Sequence, residues 1–306
     1  MKEIFKNALF LHLLIMFWQK KQGDVNKYKV ALTLLALFSF NFAEANLKVN
    51  MKKAGVIATL CFLLGLNVSA QFFSGPMPLT YKDCEPYIEA EYSHAWVTMQ
   101  LPGEEPVEYG KMFFSMGLPV SYKYTEMYGE GQMQAVWIWN EFNRLEGEGS
   151  GPVLDADNGF AGWIHNYESG RLVSSTMSLS DGSETMRQYD YSNDRCQGYT
   201  VSQKTADTEF INNGIMEFSY DSKGNISRAR FYSYLSDSGE KELVYTENYE
   251  YNSNNQVVKF ISVMPDGSSI HTYLYKYNAK GLLIEANASS LAFGDAIFTI
   301  EYFNED

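Results

Sequence analysis

Tyr275-Lys-Tyr277-Asn278-Ala-Lys-Gly281-Leu-Leu283 is the stretch that decides the fold. The same pattern, aromatic-x-aromatic-Asn/Asp-x-x-Gly/Asn-x-apolar, recurs as Trp137-Ile-Trp139-Asn140-Glu-Phe-Asn143-Arg-Leu145, as Phe218-Ser-Tyr220-Asp221-Ser-Lys-Gly224-Asn-Ile226 and as Tyr249-Glu-Tyr251-Asn252-Ser-Asn-Asn255-Gln-Val257. Residues two apart in a strand share a face, so the paired aromatics form a row on one side of a sheet. Asn or Asp at the fourth position can start a turn by bonding its own backbone two residues on. Gly or Asn at the seventh tolerates the left-handed backbone that follows a type I turn in a four-residue hairpin loop. The apolar ninth residue restarts a strand.

Worn copies fill the gaps. Ile164 to Leu172 keeps Gly170 and Leu172, Tyr189-Asp-Tyr191 keeps the front half, and Ile300-Glu-Tyr302 begins a copy in which the chain ends. Starts at 137, 164, 189, 218, 249, 275 and 300 give a period of 25 to 31 residues. Ser180-Asp181-Gly182, Asn212-Asn213-Gly214, Ser236-Asp237-Ser238-Gly239 and Pro265-Asp266-Gly267 mark a second turn within most repeats. Each repeat is then two antiparallel strands. The chain reads as all-β, an up-and-down meander of β-hairpin repeats forming one long, twisted, curled sheet. Six of the eight prolines lie between Pro76 and Pro119, so 71–130 reads as an irregular cap with hairpins of its own, ahead of repeats over 131–306. A short helix fits within Leu79–Gln100, interrupted by Pro86. The last strand, Phe298–Tyr302, has no later partner. It is expected to meet an N-terminal strand from within 88–128 or a second copy of the chain, because open edges invite pairing.

These residues resemble the YD repeats of the RHS family, whose core is Tyr-x-Tyr-Asp-x-x-Gly-x-Leu. Phe218–Ile226 and Tyr275–Leu283 are nearest to it, and the resemblance spans about 137–306. The chain is also similar to short secreted YD-like proteins of Bacteroidetes, which implies an envelope location. Large RHS proteins wrap such sheets into shells around a C-terminal toxin. No further domain is expected after the repeats and no self-cleaving segment is recognisable, so the shell function is not carried over.

Met51-Lys52-Lys53, the apolar run Ala54–Val68 and Val68-Ser69-Ala70 before Gln71 form a basic, apolar and small-residue series, the pattern of a secretory signal peptide cleaved between Ala70 and Gln71. Residues 1–50 carry two further short apolar runs, Ala8–Trp18 and Val30–Ala43. We read them as an extension of the gene model ahead of a start at Met51, with a long N-terminal anchor as the alternative. Removing the 9 basic and 3 acidic residues of positions 1–70 from the chain's 24 and 37 leaves 15 and 34, a net charge of −19. Such a balance argues against nucleic acid and an anionic membrane surface as partners, since both are bound through Lys and Arg over a broad surface. Cys84 and Cys196 remain after cleavage. They form one disulfide or stay as two thiols.

No catalytic constellation emerges. His94, His165 and His271 stand in unrelated contexts, and Gly147-Glu-Gly149-Ser150-Gly151 misplaces the serine of a nucleophile elbow. No zinc spacing exists, and Asp155-Ala-Asp157-Asn158-Gly159 departs from a calcium loop and reads as an Asp-rich turn. No metal or other cofactor is expected. Most acids fall at turn starts or on alternate strand positions, the solvated face. The candidate binding feature is the aromatic row Trp137, Trp139, Tyr189, Tyr191, Tyr220, Tyr249, Tyr251, Tyr275 and Tyr277, although cross-strand rings also stabilise a sheet directly. The reading is an exported, non-catalytic binding or scaffolding protein of the periplasm, the outer-membrane surface or the exterior, with an envelope glycan or protein as partner. The alternatives are a glycan hydrolase with its site on the concave sheet face, and an outer-membrane β-barrel. N-terminal sequencing of the mature protein is expected to begin at Gln71; a cytoplasmic product starting at Met1 would contradict export.

Overall fold

The computed structural model describes residues 77–125, 132–152, 161–179, 182–205, 208–235, 240–290 and 294–304. The signal segment with its Ala70–Gln71 junction, both upstream apolar runs, the Asp155–Gly159 loop and the Ser236–Gly239 turn lie outside the described residues.

A 3₁₀ turn, Tyr81–Cys84, leads into helix α1, Glu85–Ala90. Thr80 and Asp83 cap the turn reciprocally, and Pro86 sits in the first turn of α1. There its missing N–H would have had no partner, so the proline opens the helix and does not interrupt it. Sixteen strands follow: β1 His94–Gln100, β2 Val107–Ser115, β3 Leu118–Thr125, β4 Gln132–Trp139, β5 Leu145–Pro152, β6 Ala161–Glu168, β7 Arg171–Ser178, β8 Glu184–Ser192, β9 Arg195–Lys204, β10 Ile211–Tyr220, β11 Ile226–Leu235, β12 Glu240–Tyr251, β13 Val257–Val263, β14 Ser269–Tyr277, β15 Leu283–Ser290 and β16 Gly294–Phe303. Each pairs antiparallel with its sequence neighbours, and β16 pairs with β1 from His94↔Phe303 to Gln100↔Ile297.

The sheet is therefore a closed barrel, which corrects the expectation of one long curled sheet. The partner of the last strand is β1, in the segment assigned to the cap. Bulges supply a physical reason for closure. Each motif hairpin carries a register shift just beyond its turn, at Ile138/Trp139, Asn166/Tyr167, Asp190/Tyr191, Ser219/Tyr220, Glu250/Tyr251 and Lys276/Tyr277. A bulge bends and twists its strand. Repeated at the same end of successive hairpins, it coils the sheet until its edges meet.

The turns follow the motif. Asn140 Oδ1 accepts from Phe142 N and Arg144 N, Asp221 Oδ1 from Lys223 N and Asn225 N, and Asn252 and Asn278 repeat the arrangement. Asn143, Gly224, Asn255 and Gly281 all have positive φ, between 54° and 90°. The loop is three residues long, not four: Asn143 N bonds Asn140 O while Asn140 N bonds Arg144 O. That is a type I turn closed by a left-handed residue. The worn copies are one turn residue shorter. Ser169-Gly170 and Asn193-Asp194 have positive φ at both positions, the mark of a two-residue type I′ turn. Asn212-Asn213-Gly214, read as a turn, lies inside β10.

The third motif residue reaches back one hairpin. Trp139 Nε1 donates to Pro119 O at 2.8 Å, Tyr167 Oη to Leu145 O at 3.0 Å and Tyr191 Oη to Leu172 O at 3.0 Å. Tyr220 donates to Cys196 O, Tyr251 to Ile226 O at 2.8 Å, Tyr277 to Val257 O at 2.9 Å and Tyr302 to Leu283 O at 2.7 Å. In every case the acceptor lies two residues beyond the last residue that the ladder between those hairpins pairs, as Leu283 lies beyond Glu285↔Thr299. The ring thus takes a carbonyl just beyond the end of the ladder shared with the preceding hairpin.

The buried face of the wall is the inner one. Arg187 on β8 interacts with Tyr245 on β12, four strands round the wall, which side chains can do only across the interior. The lumen is packed with rings: Tyr189 against Tyr199 at 5.3 Å, Phe231 against Tyr245 at 5.3 Å, and Phe298 against Tyr109 at 5.3 Å. Tyr87 of α1 is buried against Phe114 and Tyr302.

Tyr251→Phe deletes one latch and leaves the Ile226 carbonyl without its donor. It is expected to lower stability by about 1–3 kcal/mol in urea unfolding; an unchanged midpoint would show that water replaces the hydroxyl without loss.

Candidate functional site in the barrel interior

The first ring of each motif points into the lumen. Trp137, Tyr189, Phe218, Tyr249 and Tyr275 are all buried, and register places His165 at the equivalent position of its repeat, opposite Ser175. The second rings, Trp139, Tyr191, Tyr220, Tyr251 and Tyr277, are half-buried latches. The aromatic row is thus divided between core and latch, and its nine predicted residues, to which Phe218 adds a tenth ring, do not form one open platform.

The lumen holds a polar cluster that sequence reasoning missed. Arg187 of β8 stacks its guanidinium on Trp163, 3.9 Å from the ring centroid, and lies 5.2 Å from that of Tyr199. His165 Nδ1 is 2.8 Å from Ser175 Oγ, which is 3.2 Å from Tyr189 Oη. His165 Nε2 has no hydrogen-bond partner and stands 3.8 Å from Glu148 Oε1. Glu247 accepts from Tyr249 Oη at 2.7 Å. Nearby, Ser262 is fully buried opposite Glu247, and its hydroxyl has no partner. The Glu148 side chain keeps 17% of its surface accessible.

Enclosure dominates the electrostatics. Burial pushes the Glu148 carboxyl up to about 7, with the Arg187 cation pulling the other way. Burial likewise raises Glu247, against the Tyr249 hydrogen bond and Arg187. His165 is pushed down to about 4, by burial first and then by Arg187. Both carboxyls feel Arg187, yet among the described residues no carboxylate oxygen lies within 4 Å of its guanidinium. The cluster can hold one cation with two titratable acids about it. Among the described residues no three His, Cys, Asp or Glu are grouped to hold a metal.

The expectation that acids sit on the solvated face fails for Glu148 and Glu247. The signal lay in strand phase: Glu247 alternates with Tyr245 and Tyr249, and Arg187 with Tyr189, all inward. The cysteines are not joined: Cys84 and Cys196 are buried free thiols, and Cys196 Sγ donates to Gly198 O at 3.3 Å. Burial holds both thiols above the ordinary value.

No family model and no curated protein matches the chain. Among solved structures it is similar to a porin-like protein from Bacteroides vulgatus, at 11% identity and TM-score 0.39, covering 69% of this chain and 98% of that one. A porin-like protein from Bacteroides uniformis shows 10% identity and TM-score 0.40, covering 69% and 97%. A protein of unknown function from Bacteroides fragilis shows 18% identity and TM-score 0.24, covering 43% and 94%. Similarities this low carry no weight for fold or activity.

Glu148 makes the lumen sensitive to pH. Its ordinary value of 4.5 rises to about 7 in the fold, so the folded chain holds this proton more tightly than the unfolded one. The resulting stability is complete below the unfolded value and is lost as pH climbs through the folded one. His165 runs the other way: its penalty is present below about 4 and relieved by pH 6.5. Glu148→Gln keeps the neutral form throughout. In urea melts its stability relative to wild type is expected to shift in the variant's favour as pH rises from about 5 to about 8; a difference independent of pH would contradict the enclosed carboxyl.

Proposed function

We propose that the protein is an exported β-barrel of the cell envelope that works in water as a binding or scaffolding protein. The polarity of the wall carries this reading. Outward positions include Glu217, Arg228, Arg230, Lys241, Glu250, Lys259, Lys276 and Glu285, and the lumen holds the rings. Ion pairs lie on the outer face: Lys259–Glu250 at 2.6 Å, Lys276–Glu285 at 2.6 Å, Lys204–Glu184 at 3.1 Å and Lys241–Glu217. A lipid-facing band is apolar at alternate positions, and a Lys or Arg at its mid-depth costs roughly 2–4 kcal/mol. The acidic balance supports solubility. The RHS-like motif and the signal pattern support export.

A second reading, the outer-membrane barrel, is favoured by one observation: the wall closes on 16 antiparallel strands. Closure removes every edge, as a lipid-spanning sheet requires, and bacterial outer-membrane barrels have even strand numbers. No helix among the described residues is long and apolar enough to cross a membrane, which says nothing of a crossing by strands.

Envelope fractionation separates the two. The mature chain is expected to leave the membrane fraction in carbonate or urea washes and to stay monodisperse without detergent. Retention through both washes, with aggregation once detergent is removed, would establish the membrane barrel instead.

A further inference from the structure

Lys111 of β2 and Lys123 of β3 are direct cross-strand partners on the outer face. Like charges placed opposite each other destabilise a strand pair. Elsewhere the wall avoids this: Lys204, Lys241, Lys259 and Lys276 each lie against a glutamate. Among the described residues no carboxylate comes within 4 Å of Lys111 or Lys123. Glu301 faces Trp96 and Glu108 faces Thr98, each beside the pair in register but not on it.

Aromatic rings hold the two ammonium groups. Lys111 Nζ lies 4.9 Å from the Trp96 ring centroid and 5.1 Å from that of Phe113, and Lys123 Nζ lies 6.0 Å from the same Phe113 ring. Rings under a cation attract it and limit its rotamers before any partner arrives. His94, opposite Phe113, stacks on Phe303 at 5.4 Å and extends the plate across the β1–β16 seam. The result is a fixed pair of positive charges on an aromatic plate, in a chain whose net charge is −13.

We propose that this face binds an acidic polysaccharide. Its carboxylates meet Lys111 and Lys123, and the apolar faces of its sugars lie against the His94–Phe303 stack beside them, where Phe303 is exposed. A peptide adding as a strand has nothing to pair with, because β1, β2 and β3 are hydrogen-bonded on both sides. Recognition must pass through charges and rings, which a polymer of uronic acids can meet. The inference rests on the wall facing water.

The test uses the whole exported protein, without detergent, with polygalacturonate as the probe and dextran as the uncharged control. Affinity electrophoresis is expected to show retardation by polygalacturonate, relieved by salt, and none by dextran. Lys111→Gln with Lys123→Gln is expected to weaken binding roughly tenfold, while thermal unfolding is unchanged or raised because a repulsion is gone. Lys259→Gln with Lys276→Gln makes the same change of net charge elsewhere and is expected to leave binding intact. Equal losses in the two double variants would reduce the effect to bulk charge and overturn the site. So would a soluble wild-type protein that polygalacturonate does not retard, or one captured only by vesicles containing phosphatidylglycerol. A protein soluble only in detergent would overturn the water-facing wall, and the inference with it.

Discussion

The hydrogen bond from the second aromatic residue of each motif to a main-chain carbonyl one hairpin back is the interaction on which the barrel depends. A hairpin meets its neighbour through a ladder that stops short of the motif turn, as at Arg228↔Asn248 and Glu285↔Thr299. The carbonyl left over at Leu145, Leu172, Cys196, Ile226, Val257 or Leu283 would be an unpaired acceptor. A buried acceptor without a donor costs more than a typical hydrogen bond contributes. The tyrosine meets that need and sets the spacing between neighbouring repeats. The bulge that bends the wall and the latch that repairs its ladder are two parts of one device.

The same geometry sorts the side chains. With the latching ring committed to the rim, the first ring of the motif is turned inward, and the lumen fills with Trp137, Tyr189, Phe218, Tyr249 and Tyr275. A packed aromatic lumen leaves little room for polar groups. Arg187, Glu148, Glu247 and His165 are therefore held in a medium that disfavours charge, and the shifts of Glu148 and His165 are consequences of that enclosure. The guanidinium is accommodated by Trp163 and by nearby acids and phenols, not by one close ion pair.

Outside, charges of opposite sign pair across strands at Lys204–Glu184, Lys241–Glu217, Lys259–Glu250 and Lys276–Glu285. Lys111 and Lys123 break that rule at one place, beside the seam where β1 meets β16. The wall there was built by the segment that lacks the motif, so its outward residues are free of the repeat's own requirements.

Strand content, hairpin positions and turn chemistry were legible in the chain, because each depends on residues within about ten positions of one another: the Asn or Asp that caps the turn, the left-handed Gly224 and Gly281, and the paired rings. One worn copy misled by one residue, since a two-residue turn at Ser169-Gly170 shifts the phase so that His165, not Ile164, takes the first ring's place. The cluster was legible only in part: Glu247 stands in phase with Tyr245 and Tyr249, but nothing local says that this phase faces inward. Closure was decided by tertiary structure. It depends on twist accumulated over sixteen strands and on two segments about two hundred residues apart, His94–Gln100 and Gly294–Phe303, whose register no short-range pattern contains. Once the ends meet, alternate positions acquire an inside and an outside, and burial of Glu148, His165 and Arg187 follows from the ring they complete.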